Sequence, residues 1–150
     1  MPSWSDFEQS APDLAAEVRG HLDAYVHKTI ATIRRTGAPR ISGTETNLRD
    51  GELYIGSMWQ ALKARDLQRD PRFALHSGSD SPPDFTGDAK LAGVAEEITD
   101  AETVLAINGS EVGKSHLFRL DINEVSTTRI ADDKLVITVW TPSGLRTLQR

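Results

Sequence analysis

Short apolar–polar alternations, each closed within a few residues by a turn signal, recur along most of this 150-residue chain. Side chains on a strand point alternately to two faces, so alternation of this kind asks for a sheet with one covered face. The segment 29–34 (TIATIR) reads as a strand, Thr36-Gly37-Ala38-Pro39 as a turn, and 40–44 as the returning strand. Asp50-Gly51 is a hairpin signal ahead of 52–57, where Leu53 and Ile55 share one face. Further strands are expected at 72–76, at 87–98 with Ala89, Leu91, Gly93 and Ala95 on the tighter face, at 117–125 and at 134–141. The last, KLVITVWT, is apolar on both faces, which suits a strand covered on both sides. Many short strands joined by hairpin turns point to a closed barrel rather than a doubly wound sheet.

Helical signals are few. Ala11-Pro12-Asp13 opens a helix with Leu14, Val18, Leu22 and Val26 at four-residue spacing, which makes 1–27 an N-terminal helical segment. The segment 61–69 (ALKARDLQR) is rich in helix formers, and Asp70-Pro71 stops it because the residue before proline avoids helical geometry. Thr99 to Glu102 has the spacing of a capping box ahead of a short helix at 101–107. Lys28 is expected in the loop before the first strand, and 77–86 (SGSDSPPDFT) is a loop by composition. No repeat, linker or low-complexity tract divides the chain, so a single domain over 1–150 is expected.

The formal net charge of −5 argues against a nucleic-acid or anionic-membrane partner, since phosphate backbones need a basic face. Lys63, Arg65, Arg69 and Arg72 form a local basic exception, enough for one small phosphate. There is no cysteine, which removes disulfides, thiolate metal sites and cysteine nucleophiles. The four histidines lack metal-ligand spacing, so no metal site is expected. The first residues show no basic start followed by an apolar run, and no stretch approaches the roughly 20 apolar residues of a membrane span. A cytoplasmic protein is the resulting expectation. Neither a G-x-S-x-G elbow nor a phosphate-binding G-x-x-x-x-G-K-[ST] loop is present, and Asn108-Gly109-Ser110 is expected to be a turn.

Three clusters carry possible chemistry. Arg40 and Ser42 have the same strand parity, so a guanidinium and a hydroxyl lie side by side as a grip for phosphate or carboxylate, or as an ordinary solvated face. The strand ending in Gly56-Ser57-Met58 offers backbone groups that can read the edge of a planar heterocycle. Lys63, near the start of the following helix, suits an anion, or else pairs with Asp66 or Glu52 at the surface. Trp140 closes a strand ahead of Gly144, Arg146 and Arg150, where tryptophan serves core packing more often than a ligand contact.

The order and spacing of these parts, from Thr29-Ile30-Ala31-Thr32 through Gly37-Ala38-Pro39-Arg40, Glu52 to Ser57, Lys63 to Leu67 and Arg69 to Leu75 to the closing Trp140, resembles the pyridoxamine 5′-phosphate oxidase-like family of FMN-binding split barrels over about 29–150. The resemblance implies a mainly β fold with short helices, a six-stranded antiparallel Greek-key split barrel, and a homodimer with the cofactor at the subunit interface. Arg40 and Lys63 would hold the FMN phosphate. Ser42, Gly56, Ser57 and Met58 would line the ribityl chain and ring, and Trp140 and Arg146 would reach the partner subunit's site. The expected function is a flavin-dependent oxidoreductase acting on a small organic substrate. The alternatives are a reductase using the deazaflavin coenzyme F-420, whose acidic tail Arg65, Arg69 and Arg72 would meet, or a non-catalytic flavin- or haem-binding module. Leu62 stands where the family often has a basic residue, which leaves one phosphate contact to be replaced.

Overall fold

The computed structural model describes residues 2–150. Two helices come first, α1 (Trp4–Ser10) and α2 (Pro12–Ala24). The strands follow in order: β1 (Lys28–Ile33), β2 (Pro39–Thr44), β3 (Asn47–Arg49), β4 (Glu52–Met58), β5 (Arg72–His76), β6 (Asp88–Ile98), β7 (Ser115–Ala131), β8 (Lys134–Thr141) and β9 (Gly144–Gln149). Helix α3 (Leu62–Arg69) joins β4 to β5, and α4 (Ala101–Asn108) joins β6 to β7. Every ladder is antiparallel, in the order β2-β1-β5-β6-β7-β4-β3. The β8–β9 hairpin is attached to β7.

Six of these strands, β2-β1-β5-β6-β7-β4, curl until the two ends of the path, β2 and β4, lie side by side with no ladder between them. The barrel is split at that seam. The 17-residue β7 serves two layers: its first half lies between β4 and β6, its second half between β6 and β8. The expectation ended this strand at Val125, but the β-branched run Thr127, Thr128 and Ile130 carries it on to pair with β8. Strand β9 was not anticipated. The expectation of β8 covered on both faces also fails within one chain, because Leu135 is 41% exposed while Val136, Val139 and Trp140 are buried.

The inward residues Ile30, Leu53, Ile55, Leu75, Leu91, Phe118 and Leu120 form the core, and α1 and α2 cover it with Trp4, Phe7, Leu14, Val18 and Leu22. Helix α1 is opened by a capping box in which the Asp6 N–H donates to Ser3 Oγ (3.1 Å) and the Ser3 N–H to Asp6 Oδ2 (2.9 Å). The four-residue repeat expected to run to Val26 stops one turn early. Tyr25 takes extended geometry, and Val26 is 67% exposed in the link to β1. Lys28 belongs to β1 rather than to that link, and it is buried. At α4 the cap is Asp100, whose Oδ2 accepts from the Thr103 N–H (2.9 Å), so the Thr99–Glu102 box does not form. No helix among the described residues is long and apolar enough to cross a membrane.

Candidate functional site

The seam between β2 and β4 opens into a cleft of about 430 Å³. Gly43 and Thr44 form its β2 wall, and Gly56, Ser57 and Met58 its β4 wall. Lys63 of α3 and Asn108 of α4 close two further sides. Strand alternation explains the β4 wall: Leu53, Ile55 and Ser57 point into the barrel, and Gly56 and Met58 away from it.

Lys63 stands on the first turn of α3, and its Nζ donates to the Gly43 carbonyl at 2.8 Å, bridging the seam. Burial pushes its pKa below the ordinary lysine value, and Glu45, on the same cleft wall, opposes that shift. A cation stripped of part of its water gains when an anion arrives beside it.

Of the eight residues singled out in the sequence, the structure gathers Gly56, Ser57, Met58 and Lys63 in this cleft. Arg40 and Ser42 do share a face of β2. On that face Arg40 is turned to α3, where its Nε donates to Asp66 Oδ2 at 2.7 Å. Asp66 is buried and also accepts from Thr32 Oγ1 (2.8 Å) and from Arg69 (2.9 Å). Through its Nε, Arg40 thus forms an ion pair that ties β2 to α3. Trp140 is 2% exposed, packed on Phe7 with ring centroids 4.9 Å apart, and its Nε1 donates to Ser10 Oγ at 3.0 Å. Covered by α1 in this way, it packs in the core of its own chain. Arg146 lies exposed on β9, away from the cleft of its own chain, beside a shallow depression with Thr141 and Ser143. Of the arginines expected to meet an acidic tail, Arg72 pairs with Asp70 (2.7 Å) and Arg69 with Asp66, while Arg65 is exposed.

Sequence reasoning missed the apparatus behind the β4–α3 turn. Met58 O accepts from the Ala61 N–H (3.1 Å), and Gln60 adopts left-handed geometry with φ of 63°. The buried His116 accepts the Gln60 N–H at its Nε2 (3.1 Å), so its proton sits on Nδ1, which donates to Glu97 (2.6 Å). The Trp59 ring stacks flat on this imidazole, 4.5 Å away and 12° from parallel. His116 thus holds the turn that ends one cleft wall and begins the helix carrying Lys63. Asn108 was also missed. The Asn-Gly pair that marks it is a helix stop signal, and Gly109 takes the left-handed cap with φ of 70°. A stop signal says nothing about where the side chain points.

The same architecture recurs in solved structures. A pyridoxamine 5′-phosphate oxidase-related, FMN-binding protein from Nostoc punctiforme superposes with a TM-score of 0.65 at 14% identity, over 92% of this chain and 95% of that one. A Clostridium acetobutylicum protein of the pyridoxinephosphate oxidase family, related to general stress protein 26 of Bacillus subtilis, gives 0.64 at 11% identity over 85% and 94%. The chain has the split-barrel fold of the pyridoxamine 5′-phosphate oxidase-like proteins. An F-420 reductase shares this split barrel at a TM-score of 0.54 and 17% identity, over 67% of this chain and 89% of that one. No protein-family model and no curated protein matches the sequence. At these identities the likeness is one of backbone architecture, and the chemistry of this split barrel has to be argued from its own cleft.

Proposed function

We propose that this split barrel binds FMN in the seam between β2 and β4 and serves as a flavin-dependent oxidoreductase for a small organic substrate. The observation that carries the reading is the half-buried Lys63 ammonium, set where the open seam meets a glycine-lined wall. The residues present fit a flavin nucleotide in three respects. Lys63 meets the phosphate, Gly43 leaves open room beside the β2 wall for a flat ring, and the exposed Met58 offers an apolar edge. When bound, the ring supplies the electron and hydride chemistry, while the protein supplies binding, orientation and exclusion of water.

With Arg40 held by Asp66 and Leu62 in place of a cation, one chain brings a single lysine to a dianionic phosphate. A second copy completes the site in this reading. Arg146 is exposed and makes no ion pair among the described residues, so it is free to reach the partner's cleft. The exposed Ile130, Leu135 and Leu145 on the same three-stranded extension give such a dimer its apolar contact.

A deazaflavin carries the same ring edge and a longer acidic tail. The fold shared with an F-420 reductase and the exposed Arg65 beyond Lys63 favour it as the second reading. The absorption spectrum of the purified protein, with the small molecule extracted and identified by mass, separates the two. FMN is expected. A deazaflavin selects the second reading, and a haem spectrum rejects both.

A further inference from the structure

Asn108 is the last residue of α4, and its side chain forms the wall shared by the cleft and a neighbouring depression of about 470 Å³ that reaches Trp59 and Ser110. The orientation of its amide is determined. Its Nδ2 donates to the His116 carbonyl at 2.9 Å and to Ser115 Oγ at 3.0 Å. A backbone carbonyl only accepts, so turning the amide over would set oxygen against oxygen. Ser115 Oγ takes a second donor, Ser110 Oγ, at 2.7 Å, which braces the arrangement from the other side. The Oδ1 is consequently turned away from β7 and towards β4. A Cβ placed on Gly56 would lie 2.8 Å from it, so Gly56 is the residue that lets this oxygen reach the wall. Among the described residues no donor reaches Oδ1.

We propose that Asn108 is a specificity-determining residue whose Oδ1 accepts a hydrogen bond from a ring N–H of the bound ligand. This inference rests on the flavin reading and deepens it. Flavins and deazaflavins both carry one such group, the imide N–H between the two ring carbonyls. A fixed lone acceptor matches that N–H and repels a carbonyl, so it discriminates which edge of the ring enters the wall. Leaving such an acceptor unmatched in a ligand-filled site is the costly outcome, which is why a single atom can select.

The test compares FMN with N3-methyl-FMN, in which only that N–H is blocked, by flavin fluorescence titration of the full chain. The parent is expected to bind FMN about tenfold more tightly than the methylated flavin. Asn108→Leu, close to Asn in shape but without an acceptor, is expected to bind FMN about tenfold more weakly and to lose the preference. Because leucine still fills the space, a preference due to crowding of the methyl group would survive in that variant. Gly56→Ala, which displaces Oδ1 from the other side, is expected to erode the preference as well and serves if Asn108→Leu does not fold. Equal affinity of the parent for the two flavins, or an undiminished preference in the variants, overturns the role of Asn108 while leaving FMN binding intact. A parent that binds neither flavin removes the flavin reading itself.

Discussion

At the scale of single residues, the most consequential pairing joins Arg40 to Asp66. Burial alone would raise the Asp66 carboxyl, but the hydrogen bonds from Arg40, Thr32 and Arg69 outweigh it and hold the group below the ordinary aspartate value. A carboxyl lowered by folding contributes stability that is present above its unfolded value near 4 and lost as pH falls through the folded value. Asp66→Asn keeps the shape but strands the Arg40 guanidinium, which at pH 7 should cost about 3–5 kcal/mol by urea unfolding. The gap between parent and variant should narrow as pH falls through the lowered folded value, where the parent loses its charge too. A variant as stable as the parent at pH 7 would show that the triad does not anchor α3. The sequence made Arg40 legible as a strand-borne cation but not its partner, 26 residues away on a helix. Lys63 was legible as a cation near the start of a helix, but its bridge to the Gly43 carbonyl was not, because that partner lies 20 residues away on another strand. The residues alone favoured core packing for Trp140, and the structure agrees, but its partners Phe7 and Ser10 were not legible because they lie on α1 at the other end of the chain.

At the scale of elements, β6 and β7 make the junction on which the barrel depends. Their register slips between Ala92 and Gly93, where Ala92 faces Glu124 and Gly93 faces Ile122, leaving Asn123 as the extra residue of a bulge. A Cβ on Gly93 would lie 1.8 Å from the Asp121 carbonyl oxygen, so nothing larger than hydrogen fits without moving a strand. Gly93→Ala is therefore expected to lower stability by about 3 kcal/mol or more, read as a fall in the midpoint of thermal unfolding. An unchanged midpoint would mean that the strands separate there more readily than this register allows. The strand itself was legible from its alternation, and its tight face was read correctly. The bulge was not, because it is set by the partner strand and not by the residues of β6 alone. Helix ends went astray for a related reason. Val26 keeps the helical spacing of α2, yet the chain has to turn at Tyr25 to enter β1.

At the scale of the whole molecule, the architecture followed from turn signals and short alternations, whereas the seam did not, because a gap between β2 and β4 leaves no mark in either strand. If a second copy completes the phosphate site, sedimentation at micromolar concentration should show a dimer, with burial of more than roughly 2,000 Å² in total. A monomer would leave Ile130, Leu135 and Leu145 bare and Arg146 without a cleft to reach. The central claim is that the seam holds a flavin phosphate against Lys63, and a titration of FMN into three proteins tests it most directly. The parent, Lys63→Ala and a control, Lys134→Ala, are compared by flavin fluorescence. Lys134 serves as the control because it is exposed beside a hairpin turn. Removing one charge-assisted hydrogen bond should weaken FMN binding by about 1.5–3 kcal/mol, roughly one to two decades in Kd, with Lys134→Ala unchanged. Equal affinity of Lys63→Ala and the parent would contradict the claim and leave Lys63 a lysine that only bridges the seam to Gly43.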